Sequence, residues 1–129
     1  MNGDGIPEDV KRFLLDTIDS VAEWEGLLLL RADPAAEWTA AAMAGNLYIE
    51  ESSTTAILAR LCELEILEVR GGASALYRYQ PKSPEMDAMI GRTAELYAKY
   101  LVPITQIIHS KPKTKIQKFA NAFRIRKDE

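Results

Sequence analysis

Cysteine and histidine are almost absent: Cys62 and His109 stand alone in a chain of 129 residues. A lone cysteine excludes an internal disulfide. One cysteine with one histidine also excludes the usual zinc spacings, so any metal would have to be held by carboxylates. No metal or other cofactor is expected. The apolar run Leu27 to Leu30 falls far short of the roughly 18 residues that suggest a membrane span. The opening MNGDGIPED is acidic and lacks a positive segment followed by an apolar one, so no secretory signal is expected and a cytoplasmic location is. Catalytic signatures are missing too, with no G-x-S-x-G, no glycine-rich phosphate loop and no H-E-x-x-H. Cys62, beside Leu61, reads as a buried, inert thiol, and His109 as a helix-end residue. Carboxylate pairs such as Glu50 with Glu51 and Glu63 with Glu65 read as solvated surface. A protein without enzymatic activity is expected.

Positive charge is scarce over most of the chain. Up to Ser110 there are 9 Lys and Arg against 17 Asp and Glu, whereas from Lys111 onward there are 7 against 2. An acidic body therefore carries a basic tail, and the tail becomes a candidate contact for polyanions or partners. Apolar content of 47% is ordinary for a folded protein, and the length suits one domain with helical additions at both ends.

The chain is organised around Trp38 to Pro81. Its periodicity predicts a short helix from Thr39 to Asn46, with Thr39 as N-cap, and a second helix from about Glu50 to Leu64. Ile57, Leu58, Leu61 and Leu64 form the apolar stripe of that second helix. Ser52, Ser53, Thr55, Ala56, Ala59, Arg60 and Glu63 fall on the opposite face. Two strands follow, Leu67 to Arg70 and Leu76 to Gln80, joined by a turn at Gly71, Gly72, Ala73 and Ser74. With Leu67 and Val69 facing inward, Arg70 points out, while the return strand sets Tyr77 and Tyr79 on one face and Leu76 and Arg78 on the other. Glu65 stands just past the second helix, where it must either take a left-handed backbone conformation or end the helix differently.

Before this unit, residues 1 to 6 read as a loose end. A helix begins at Pro7 with Val10, Phe13, Leu14 and Ile18 as its stripe. Ser20 and Glu23 have capping-box spacing, which either starts a new helix from Val21 to Ala32 or bends one long helix. The second part, apolar on every side at Leu27 to Leu30, reads as the central core helix; Asp33 and Pro34 end it. Glu37 and Trp38 suit a very short strand, with Trp38 as a core anchor.

After the unit, a long helix is expected from Pro84, kinked near Lys99 by Pro103. Met86, Ile90, Thr93, Tyr97, Tyr100, Ile104 and Ile107 form a heptad-like seam, open to two readings: packing on the same chain, or a dimer interface. The tail can form a short amphipathic helix with Ile116, Phe119, Ala120 and Phe123 on one side. It either docks on the body or serves as a nucleic-acid arm, a partner-binding helix or a membrane-surface helix.

The run LARLCELEIL followed by EVRGGASALYRYQP resembles the winged helix-turn-helix domain of small bacterial transcription regulators. The whole chain is also similar to a group of uncharacterised bacterial winged-helix proteins with a long helix and a FANAFRIRK-like tail. The expected fold is mainly α with a small β-hairpin (α+β). Its parts are an N-terminal helical extension over 1–19, the winged helix-turn-helix over 20–81, a long helix with a dimerisation role over 84–110, and the basic tail over 111–129. The resemblance implies DNA binding by a homodimer. It sets Ser52, Ser53, Thr55 and Arg60 at the major groove and Arg70, Ser74 and Arg78 at phosphates or the minor groove; the charge of the tail adds Lys115, Lys118, Arg124, Arg126 and Lys127 as candidate contacts. The acidic recognition face departs from that pattern, and the alternative is a protein-interaction module that keeps the fold without binding DNA.

Overall fold

The structure, a computed structural model, describes residues 5–110. The basic tail and its five candidate contacts, Lys115 to Lys127, lie outside the described residues. The chain order is α1 (Glu8–Thr17), α2 (Val21–Ala32), α3 (Ala40–Leu47), α4 (Glu51–Glu63), β1 (Leu67–Arg70), β2 (Leu76–Tyr79) and α5 (Pro84–Lys99). A last helical run, α6, covers 101–110. Among the described residues the fold is thus six helices and one antiparallel hairpin, mainly helical as expected.

Local chemistry sets most boundaries. Ser20 accepts from the Glu23 amide at 3.1 Å, so α2 is a new helix and not a bend of α1. The Glu23 carboxylate reaches back to the amide of Asp19 at 2.8 Å, one residue earlier than in the usual capping box. Thr39 caps α3 and Ser83 caps α5 in the same way, each accepting an amide three residues on at 3.1 Å. Asp33 ends α2 ahead of Pro34, as the sequence predicts.

The central helix is α2. Trp24, Leu27 and Leu30 are fully buried, Leu28 and Leu29 are half-buried, and the helix packs against α3, α4 and β2. Along α4 the buried residues are Thr54, Leu58 and Leu61, spaced by four and three, while Ile57 and Leu64 are only half-buried at the flanks. In the hairpin, Leu67 pairs with Tyr79 and Val69 with Tyr77. Tyr77 and Tyr79 face the core, which leaves Arg78 on the outer face. Trp38 forms a third short rung, exchanging two 2.8 Å hydrogen bonds with Tyr77. Val69 departs from the expectation in exposure only: it lies opposite Tyr77, on the core-side face, yet on the edge strand it is 45% exposed.

Two further expectations are corrected. Ile6 is completely buried, extending the spacing of Val10, Leu14 and Ile18 by one more step of four, so the chain is anchored from Ile6 onward. The helix expected over 84–110 departs from its axis near Lys99 as expected, but as a full break into two helices. Tyr100 (φ −126, ψ 53) interrupts it, and the Ile104 amide restarts the pattern on the Tyr100 carbonyl at 3.1 Å. Pro103 cannot donate to Lys99 and crowds that carbonyl in a continuous helix; breaking at Tyr100 puts the proline in a first turn, where no amide is needed. The heptad-like seam is used within the chain: Ile90, Thr93, Tyr97 and Ile104 are all buried, α1 packs on α5, and Tyr97 meets Trp24 edge-on at 6.0 Å and 88°. Among the described residues no helix is long and apolar enough to cross a membrane.

Candidate nucleic-acid interface

In the unit α3, turn, α4 and hairpin, α4 packs against both α3 and β1. Because Thr54, Leu58 and Leu61 turn inward, Glu51, Ser52, Ser53, Thr55, Ala56, Ala59 and Glu63 are left exposed on α4. The hydroxyl of Thr55 donates to the carbonyl of Glu51 at 3.0 Å. Ser74 is exposed at the hairpin loop, beyond Gly71. Gly71 has φ +85, and a Cβ there would meet the Ser74 carbonyl oxygen at 2.9 Å, so this tight loop requires glycine.

The turn between α3 and α4 holds a residue that periodicity could not mark. Tyr48 has a left-handed backbone (φ 58) and a side chain that is 93% exposed, while its amide closes α3 on the carbonyl of Ala44. The helix therefore ends at Leu47, one residue beyond the expected end at Asn46, with Tyr48 as its C-cap. Both the conformation and the exposure are unfavourable for tyrosine.

Each of the three arginines assigned to this surface is held by a carboxylate. Arg60 lies on α4, yet its guanidinium turns back to Asp19 (3.0 Å) and to Glu23 (2.6 Å) at the start of α2. Arg70 makes two contacts with Glu37, at 2.6 and 2.9 Å. Arg78 places Nε and Nη2 on one oxygen of Glu68, at 2.9 and 2.7 Å, directly across the ladder. Hydrogen bonding to Arg70 holds the Glu37 carboxyl below its usual range. These partners were not legible in sequence, since Glu23 stands 37 positions from Arg60 and Glu37 stands 33 from Arg70. The exception is Glu68 with Arg78, which the hairpin register alone would have paired.

No reactive nucleophile accompanies this surface at Cys62, whose thiol is pushed up by burial and so is less readily ionised. Elsewhere, an open cleft of about 730 Å³ lies between the end of α2 and the start of α5, with Arg31, Tyr79, Lys82 and Asp87 on its walls. Across it the Tyr79 hydroxyl donates to Asp87 at 2.6 Å.

No family model and no curated protein matches the chain. Solved structures do. A protein described as a possible transcriptional regulator from Methanosarcina mazei Go1 is similar over 73% of this chain and 81% of its own, with 21% identity and a TM-score of 0.52. The Mycobacterium tuberculosis transcriptional regulator MosR covers 95% of this chain and 87% of its own at 13% identity and a TM-score of 0.55. MepR, a transcription regulator of the Staphylococcus aureus multidrug efflux pump MepA, covers 94% and 87% at 12% identity, also with a TM-score of 0.55. The architecture of this chain is therefore the winged helix-turn-helix found in these regulators.

Proposed function

We propose that the chain is a non-enzymatic, DNA-binding transcriptional regulator that acts as a dimer. The observation that carries this reading is the uncovered outer face of α4, where Ser52, Ser53 and Thr55 lie exposed between a turn and a hairpin loop. A second helix with that exposure is the part of a helix-turn-helix that enters the major groove, and serine and threonine hydroxyls can meet either base of a pair. Arg70, Ser74 and Arg78 on the hairpin fall to phosphates or the minor groove. Arg60 is assigned a structural role instead, because its guanidinium is engaged by Asp19 and Glu23. The remaining positive charge comes from the tail, including Lys115, Lys118, Arg124, Arg126 and Lys127. Dimerisation is supported by Leu101 and Val102 at the start of α6, which the packing of the described residues leaves exposed.

Selection of bound duplexes from a random pool tests this reading. A preferred sequence is expected for the natural chain, and a loss of preference for the double variant S52A/S53A with residual binding retained. Recovery of no preferred sequence by the natural chain would count against a regulator.

One observation favours the second reading, a protein-interaction module: the three arginines are already neutralised by carboxylates. On that reading a stable protein partner is captured, and Arg70→Ala leaves its binding unchanged.

A further inference from the structure

We infer that Glu37 and Glu68 set the affinity of this surface for nucleic acid by competing with phosphate for Arg70 and Arg78. The inference rests on the DNA-binding reading above and specifies how its affinity is controlled.

Two geometric facts support it. The two oxygens of Glu37 take Nε and Nη2 of Arg70 at 2.6 and 2.9 Å, the same fork that a guanidinium offers to a phosphate. Glu68 likewise occupies Nε and Nη2 of Arg78. In both arginines the Nε–Nη2 edge, one of the two that can grip a phosphate, is filled by a carboxylate of the same chain.

The two pairs also form one electrostatic unit. Arg78 acts on Glu37 as well as on its own partner, and Glu68 acts on Arg70. Two cations and two anions thus make a neutral quartet across Glu37, the hairpin strands and their outer face. Its members are accessible, with side-chain exposures of 69% for Arg70 and 43% for Arg78. Exposed pairs of this kind contribute little to folding, since water screens them and two long side chains must be fixed. The carboxylates can therefore be removed without unfolding anything, and while they stay in place they keep phosphate off both arginines. The Arg60 pair differs, because Glu23 is buried and its release would strand a charge in the core.

The consequence is a hairpin that carries two arginines but little net attraction until the quartet opens. Each arginine released to a phosphate displaces condensed counterions, so it adds to the salt dependence of binding as well as to affinity.

The test uses the full chain and a labelled mixed-sequence duplex, with anisotropy measured from about 50 to 200 mM salt. Glu37→Gln, Glu68→Gln and the double variant are compared with Glu51→Gln and Glu63→Gln, which remove the same charge from α4 without freeing an arginine. The double variant is expected to bind tighter, with the slope of log K against log salt steeper by about 0.9 for each arginine released. The α4 variants are expected to change affinity with the slope unaltered. If the natural chain binds and the double variant shows the same slope, competition is refuted and DNA binding stands. If no protein binds at about 50 mM, both readings fall.

Discussion

Arg60 and Glu23 join the exposed helix to the start of the central one: the guanidinium Nη1 lies 2.6 Å from the carboxylate Oε1 of a residue with only 1% exposure. The pair explains why an arginine on the outward stripe of α4 turns back toward α2 and is only partly exposed. It also locks α4 against α2, so the angle at which the outer face is presented depends on it.

Removing Arg60 is expected to destabilise the fold. Arg60→Ala leaves a buried carboxylate without its cation, at a cost of about 2 kcal/mol, below the full figure for a buried pair because the arginine is partly exposed. Arg92 bonds Asp9 at the same 2.6 Å on an exposed surface, and Arg92→Ala is expected to leave the midpoint unchanged. Urea unfolding of the two variants checks the contrast; equal loss in both would show that burial of Glu23 is not what matters.

Glu65 gives the opposite sign. It has φ 63, its amide donates to the Cys62 carbonyl at 2.9 Å, and the Ile66 amide donates to Leu61 at 3.1 Å. This is a Schellman closure in which Leu61 and Ile66 are both buried, and glycine is the residue it favours. The left-handed conformation is costly for a residue with a Cβ, so Glu65→Gly is expected to raise stability by about 0.5 to 1 kcal/mol after allowing for the freer unfolded chain. The exposed contact to Lys82, 3.5 Å long, offsets little. A lower denaturation midpoint in this variant would contradict the assignment of strain to this position.

Tyr97 predicts an alkaline limit. Burial, and then the hydrogen bond its hydroxyl donates to Glu25, push the phenol from 10.0 up to about 12. A raised pKa means that the folded state keeps a proton the unfolded state has lost. The stability it confers is complete below about pH 10 and declines as pH rises towards 12. Tyr97→Phe is expected to flatten that decline without abolishing it, since burial also raises the Tyr79 phenol. Denaturation midpoints from pH 9 to 12, set by these shifts, check the slope; an unchanged slope would mean that Tyr97 ionises alike in both states.

Much of the fold was legible because it is written in local spacing. Ser20 and Thr39 signal helix starts through short-range capping, and Leu58 and Leu61 of the expected stripe are buried in α4. The Glu65 position was legible as a choice between two closures, and the structure takes the left-handed one. What escaped depends on tertiary contact. Ile6 is buried although it precedes the first helix, Val69 is exposed although its partner Tyr77 on the same face is buried, and the α5 seam is covered by the same chain. The surface suffered most: Ser52, Ser53 and Thr55 are exposed as periodicity implies, but the pairing of Arg60 and Arg70 spans 37 and 33 positions that no period connects.

The central claim is that the outer face of α4, with the hairpin and the basic tail, binds DNA. The most direct measurement is binding of the natural full chain to mixed-sequence duplex DNA as salt is raised from about 50 to 200 mM. Detectable binding at the low end that weakens steeply with salt is the expected result, because phosphate contacts supply most non-specific affinity. No detectable binding at about 50 mM would contradict the claim and leave the protein-interaction reading in its place.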